Sequence, residues 1–232
     1  MADRPYTLLS CGMSIDGYLD STDAARLQLS NAADFDRVDA ERARCDAILV
    51  GAATVRNDNP RLLVRSAARR AERMSRGLPA SPAKVTLTRR GDLAATAAFF
   101  TTGESDKIVY CPSRAARDAR ARLGAVATVV DTGPAPDVDV GGVMEHLSAR
   151  GINRVMVEGG GTVLTQFLTA DLVDELHLVV APLFVGDSRA PRFVEDGEFP
   201  WTSERRATLA EVRQIGDVVL LRYALSDRFG AV

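Results

Sequence analysis

Two stretches of this sequence place side chains suited to holding an anion and moving a proton just beyond short apolar runs. The first is Glu158-Gly159-Gly160-Gly161-Thr162, between Arg154–Val157 and the apolar positions Val163 to Leu168. Glycines at a strand-to-helix junction let backbone N–H groups approach an anion, and the partial positive charge of a helix start favours it there. A pyrophosphate suits such a junction. The spacing is not G-x-G-x-x-G, so the Rossmann dinucleotide fingerprint is not met. Taken alone, the run is more simply a tight turn that needs glycine.

The second stretch is Asp46 to Arg65, DAILVGAATVRNDNPRLLVR. Its apolar start reads as a buried strand ending at Gly51, with Thr54, Asp58 and Arg65 following. In open α/β sheets ligands bind past the carboxyl ends of strands. Thr54, Asp58 and Arg65 offer a hydroxyl, a carboxylate and a guanidinium to a ligand, and Arg65 could grip a phosphate or a carboxylate in bidentate fashion. Asn57-Asp58-Asn59-Pro60 also reads as plain turn chemistry. A third stretch, Met13-Ser14-Ile15-Asp16-Gly17, is either a turn or a backbone that lies across a flat ring. Arg42 and the pair Arg89-Arg90 could bind phosphates, while the run Arg69, Arg70, Arg73 and Arg76 is most simply a solvated helix face.

The elements that must carry these groups alternate between strand and helix patterns. Strands are expected at Tyr6–Cys11 (closed by Gly12), Ala47–Val50, Lys84–Thr88, Lys107–Tyr110, Val126–Val130 and Arg154–Val157. Helices are expected at Asn31 to Arg44 with Ser30 as N-cap, Ser66 to Arg76, Ser113 to Leu123, Val140 to Arg150 and Thr162 to Ala170. Val163, Leu164, Phe167 and Leu168 share a face of the last of these. Glu175–Ala181, Ala207–Gln214 and Val218–Ala224 are then strands without helices between them, the last two flanking the hairpin signal Ile215-Gly216-Asp217. Alternation implies an α/β fold with a mostly parallel sheet, and the closing hairpin an antiparallel edge. No linker divides residues 1–232, which read as a single domain.

Composition narrows the function. The net charge is -2 over 232 residues, so no basic field invites nucleic acid. The segment Met1 to Pro5 does not read as a signal peptide, and no apolar run has the length of a membrane span. Cys11, Cys45 and Cys111 are widely spaced and read as reduced thiols of a cytoplasmic protein. His146 and His177 share no ligand spacing with them, so no metal site is expected.

The motifs RPYTLLSCGMSIDG, CDAILVGAATVRNDNPRLLVR, RVMVEGGGTVL, LVDELHLVVAPLFVG and APRF, in that order, resemble the pyrimidine reductases of riboflavin biosynthesis. The chain looks most like the stand-alone type, since the H-x-E and P-C-x-x-C zinc signature of the deaminase half is not found. The resemblance implies a dihydrofolate-reductase-like α/β/α fold, a homodimer, and NADPH as cofactor. Residue by residue it implies that Met13, Thr54, Asp58, Thr88 and Arg89 meet the cofactor and that Gly159, Gly160, Gly161 and Thr162 hold its pyrophosphate. Arg42, Leu62, Arg65 and Glu158 match substrate contacts. Asp58 and Glu158 are the carboxylates expected to act in catalysis. The implied reaction opens a ribosylamino-pyrimidine 5′-phosphate to its ribityl form. The same scaffold also serves dihydrofolate and specialised-metabolite reduction, because fold does not fix substrate.

Three departures stand out. Ser10 replaces the lysine that the bifunctional relatives carry before their S-x-D-G motif. Ser66–Arg76 looks like an insertion. Arg89-Arg90 occupies a strand end that is often acidic or serine in relatives, which points to preference for NADPH over NADH.

Overall fold

The computed structural model describes residues 4–23 and 27–230; residues 1–3 of the opening segment Met1 to Pro5 lie outside them. Among the described residues are nine strands and seven helices. They fall into two compact units. The first comprises Met1–Pro5 with Asp39–Met156, the second Tyr6–Val38 with Val157–Val232.

In the first unit the strand order is β5 (Thr128–Asp131), β4 (Lys107–Cys111), β3 (Ala83–Leu87), β2 (Ala47–Gly51), β6 (Arg154–Val157). The pairs β2–β3, β3–β4 and β4–β5 are parallel. Along the chain, the short helices α2 (Ala52–Asp58) and α3 (Ala67–Ser75) link β2 to β3, and α4 (Ala98–Thr101) links β3 to β4. Longer ones, α5 (Ser113–Leu123) and α6 (Val140–Ala149), precede β5 and β6. All five residues of β2 are buried, which is why its sequence is a continuous apolar run rather than an alternating one. Ile48, Val50, Val55, Leu62, Phe99 and Leu123 lie in one core cluster.

The second unit orders its strands β1 (Tyr6–Ser14), β7 (Glu175–Ala181), β9 (Val218–Ala224), β8 (Thr208–Ile215). β1 and β7 are parallel, while β7–β9 and β8–β9 are antiparallel. The expected closing hairpin is present: Gly216 takes φ +63 at the first of its two turn positions, where a side chain would be strained. In α7 (Gly161–Thr169) the four predicted apolar residues are all buried. The α/β class, the mostly parallel mixed sheet and the antiparallel C-terminal hairpin all match the expectation.

Local boundaries differ where a side chain outranks its neighbour. The first helix, α1 (Ala32–Arg44), is capped by Asn31, not Ser30: Asn31 Oδ1 accepts from the N–H groups of Ala33 and Asp34. β1 does not stop at Gly12 but runs to Ser14, because β7 keeps pairing with it as far as Ala181. Asn57 and Asp58, which also read as turn chemistry, close the seven-residue helix α2, too short to show a 3.6-residue period.

The largest correction concerns Ser66 to Arg76. It is helical as expected, with Ser66 as N-cap, and Arg76 is exposed, but Arg69 and Arg70 are half-buried and Arg73 is buried. Arg73 is 3% exposed; its Nε donates to the Pro79 carbonyl and its Nη1 to those of Ala43 and Cys45 at the end of α1. A guanidinium there supplies the donors that a helix C-terminus lacks and suits its dipole. No described helix is long and apolar enough to cross a membrane.

Candidate active site

In the first unit the structure gathers Thr54, Asp58, Leu62 and Arg65 along one stretch of chain. Thr54 and Asp58 are four residues apart on α2 and therefore share a face. The helix ends at Asn59, which is left-handed at φ 44 and whose Oδ1 accepts from the Ala98 N–H at 2.6 Å. Leu62 is also left-handed, at φ 46, although its side chain is buried in the core. A bulky residue in that region costs of order 1–3 kcal/mol and persists only where its surroundings fix it, a pattern found at ligand sites. Its side chain is therefore committed to packing, and a ligand would meet its backbone.

The surroundings that fix this stretch are side chains. Arg42 Nη1 donates to the Leu63 carbonyl at 3.3 Å. Val64 N–H donates to Ser81 Oγ at 3.0 Å. Arg70 Nη1 donates to the carbonyls of Val64 and Arg65. Asp39, on α1, accepts from the N–H of Arg65 at Oδ1, and from the N–H of Ser66 and Nη1 of Arg69 at Oδ2, at 3.1 and 2.9 Å. Burial alone would raise the Asp39 carboxyl, but these donors outweigh it and hold it below the usual range. The Arg65 side chain stays 56% exposed, with Nε 3.9 Å from Asp39.

Thr88 and Arg89 follow β3. The Thr88 hydroxyl oxygen accepts from the N–H groups of Arg90 and Gly91 and so shapes the turn. Arg89 Nε lies 2.6 Å from Asp137, both side chains more than half exposed, and Arg90 Nε lies 3.0 Å from Asp92. Such exposed pairs contribute little and exchange partners readily.

The second unit holds Met13, Glu158 and the glycine run. Met13 is the next-to-last residue of β1, opposite Val180. Beyond it the chain turns tightly: Ser14 Oγ accepts from the Tyr18 N–H and donates to Asp16, whose carboxylate also accepts from the N–H groups of Val185 and Gly186. The Ser14 hydroxyl above all lowers the Asp16 carboxyl; desolvation opposes it, and those N–H groups add to the lowering.

Glu158 follows β6 directly. Gly159 adopts φ +114, open to glycine and strained for any other residue. A Cβ on Gly161 would lie 2.5 Å from the Arg192 carbonyl oxygen, so the segment around Arg192 can pass there only over glycine. The N-cap of α7 is Gly160, which makes no side-chain cap hydrogen bond; the first N–H groups of a helix have no intrahelical partner, and such a start suits an anion. Thr162 Oγ1 donates to Glu195 at 2.6 Å, and the Glu195 N–H donates to Thr165 Oγ1. Sequence reading missed Asp39 and Glu195 and took Arg70 for part of a solvated helix face. Their types are ordinary surface types, and only the fold reveals what they hold.

The RibD C-terminal domain family model matches residues 5–221. A 2,5-diamino-6-ribosylamino-4(3H)-pyrimidinone 5′-phosphate reductase of Archaeoglobus fulgidus is 32% identical over 97% of this chain and 99% of its own. The like-named protein of Methanothermobacter thermautotrophicus is 34% identical over 84% of this chain and 85% of its own. Among solved structures, Acinetobacter baumannii RibD superposes with a TM-score of 0.75 at 27% identity; it covers 96% of this chain, which spans only 58% of that longer protein.

Proposed function

Because the chain belongs to the RibD C-terminal domain family, we propose that it is an NADPH-dependent reductase of riboflavin biosynthesis. Its substrate is a ribosylamino-pyrimidine 5′-phosphate, in the form that keeps its 2-amino group. The observation that carries this reading is the uncapped, glycine-led start of α7 directly after Glu158, in a chain aligned along nearly its whole length with a relative named for that reaction. The family match over residues 5–221 runs through both compact units, which supports reading residues 1–232 as one reductase domain.

The residues present fit a dinucleotide phosphate. Gly159, Gly160, Gly161 and Thr162 hold the pyrophosphate at the start of α7, and Thr54 and Asp58 contact the cofactor from α2. Met13 offers its backbone beside the nicotinamide. Thr88 and Arg89 sit at the adenosine phosphate, and Arg89 trades Asp137 for it; equal use of NADH would count against that assignment. When bound, NADPH supplies the hydride.

The chain's own residues bind and orient the sugar and move protons. Arg65, assisted by Arg42, holds the 5′-phosphate, so that remote binding becomes orientation at the reacting carbon. Leu62 contributes its backbone. Reduction at the sugar C1′ shifts charge between the attached nitrogen and the ring oxygen, and Asp58 and Glu158 carry the proton for that shift. The assembly is a cytoplasmic homodimer. That reading is supported by the resemblance and by the terminal strand β8, which exposes Leu209 and Val212, with Val219 exposed on β9.

NADPH oxidation followed by absorbance tests the proposal, with the diamino and deaminated ribosylamino-pyrimidine phosphates and dihydrofolate supplied in parallel. Fastest oxidation with the diamino compound is expected. Asp58→Asn and Glu158→Gln should each lower kcat by roughly 10²- to 10⁴-fold, the usual range for losing a proton-transfer group. Turnover of dihydrofolate alone, or of none of the three, would refute the assignment.

A further inference from the structure

The segment 63–66 is irregular, yet its backbone polar groups are taken up one after another by side chains. Leu63 C=O goes to Arg42, Val64 N–H to Ser81, Val64 C=O and Arg65 C=O to Arg70, and the N–H groups of Arg65 and Ser66 to Asp39. Backbone groups in a loop ordinarily turn to water, so this degree of internal satisfaction fixes the loop's course.

Asp39 is the deepest of these partners. It is 2% exposed, each of its oxygens is bonded, and Arg69 balances its charge. Asp39 and Arg42 are three residues apart on α1 and so project on one side of it, where they grip consecutive parts of the same segment. What emerges from the clamp into solvent is the Arg65 guanidinium, more than half exposed. The buried carboxylate holds two successive N–H groups and lies 3.9 Å from Arg65 Nε, while more than half of the Arg65 side chain stays exposed.

We propose that Asp39 is a positioning residue that presents Arg65 to the phosphate of the substrate, with Arg70 as its partner on the carbonyl side. The inference rests on the reading that Arg65 meets that phosphate. Without Asp39 the segment keeps its covalent course but loses the grip on two N–H groups, and the guanidinium samples orientations in which a bidentate phosphate contact is not formed. The effect therefore falls on substrate affinity rather than on the hydride step or on cofactor binding. Because a free carboxylate is needed to accept from three donors, an amide does not substitute: its one oxygen cannot serve both sides, and its NH₂ confronts an N–H.

Steady-state kinetics of the full chain tests this, using the 5′-phosphorylated substrate and its dephosphorylated counterpart with wild type, Asp39→Asn, Arg70→Gln, Arg65→Ala and the two double variants with Arg65→Ala. Asp39→Asn should raise KM for the phosphorylated substrate about tenfold, and Arg70→Gln about threefold, with KM for NADPH within about twofold. Preference for the phosphorylated substrate should shrink by the same factors. On the Arg65→Ala background both substitutions should have no further effect on that preference, as expected for residues that act through one contact. Arg70 is only partly buried, so its variant keeps the test open if Asp39→Asn does not fold. Effects that multiply on the Arg65→Ala background, or that raise both KM values alike, would overturn the proposal while leaving Arg65 in place. Absence of any phosphate preference in the wild-type enzyme would bring down the reading of Arg65, and the proposal with it.

Discussion

Two buried carboxylates, one in each unit, solve the same problem with different partners. Asp39 is surrounded mainly by backbone N–H groups of an irregular segment, with one guanidinium to balance its charge. Glu175, on β7, is surrounded by side chains. It accepts from the Tyr6 hydroxyl at 2.9 Å, from the Arg222 guanidinium at 2.6 Å, and pairs with His177 Nε2 at 2.7 Å; Arg222 reaches on to Glu211, and Arg37 bridges His177 Nδ1 to Asp34. Desolvation would raise Glu175, yet His177 and Arg222 above all bring it down to about 2. The difference separates two jobs. A carboxylate bonded to loop backbone shapes where a functional side chain points, whereas one bonded to the Tyr6 hydroxyl on β1 and the Arg222 guanidinium on β9 holds neighbouring strands together.

The comparison breaks most visibly through stability. Glu175→Ala leaves Arg222 and His177 without their buried acceptor. It should cost about 3–5 kcal/mol in urea unfolding while the remaining folded enzyme keeps its preference for phosphorylated substrate. A loss under about 1 kcal/mol would mean that solvent reaches the cluster and that the contrast with Asp39 is smaller than drawn.

The pH dependence sharpens it. Glu175 has a folded value near 2 against an ordinary 4.5. Its contribution is therefore complete above pH 4.5 and is lost as pH falls from there towards 2. Unfolding free energy measured from pH 7 downward should drop across that window, and Glu175→Gln should flatten the drop. Lys84 gives a rise of the same sign at the alkaline end, because there it is the charged form that the fold penalises. Burial first, and the charge of Lys107 second, lower it to about 8 from 10.5, although its Nζ donates to the carbonyls of Phe99 and Thr102. Its charged form is penalised below pH 8, and the penalty is relieved as pH climbs to 10.5, so stability should rise with pH across that range. Lys84→Met should remove the rise; an unchanged slope would assign it to another group.

The smallest expected effect lies at the start of α7. Gly161, Thr165 and Thr169 recur every four residues on one face of that helix. The segment 192–197 runs along them, with the Arg192 carbonyl over Gly161, Glu195 N–H on Thr165 Oγ1, and Gly197 against the Thr169 methyl group. This places the Glu195 carboxylate on Thr162, near where the pyrophosphate is proposed to bind. Glu195→Gln should tighten NADPH binding by about two- to threefold at low salt, and less as salt screens the repulsion. Weaker binding by the variant would show that Glu195 helps the site by orienting Thr162.

Much of this was legible in the sequence for a physical reason. Buried parallel strands such as β2 must be apolar throughout, and the junction 158–162 must be glycine-rich because Gly159 has positive φ and Gly161 lies under a carbonyl. Both constraints are local and leave their mark on residue types. The clamp on Arg65 left none, because it joins α1 to a segment more than twenty residues away through an aspartate that any helix surface could carry. Arg73 was misread for the same reason: burial of a guanidinium depends on three carbonyls brought to it by the fold. The helix α2 was hidden by brevity, and the Asn31 cap by a serine beside it.

The central claim is the reaction itself, and product mass tests it most directly. The full chain, NADPH and the 2,5-diamino ribosylamino-pyrimidine 5′-phosphate are incubated together, and the pyrimidine product is weighed against the cofactor consumed. The account predicts that the product gains two hydrogens, one NADPH being oxidised for each molecule formed. A pyrimidine of unchanged mass, in a sample where the chain demonstrably binds NADPH, would contradict it.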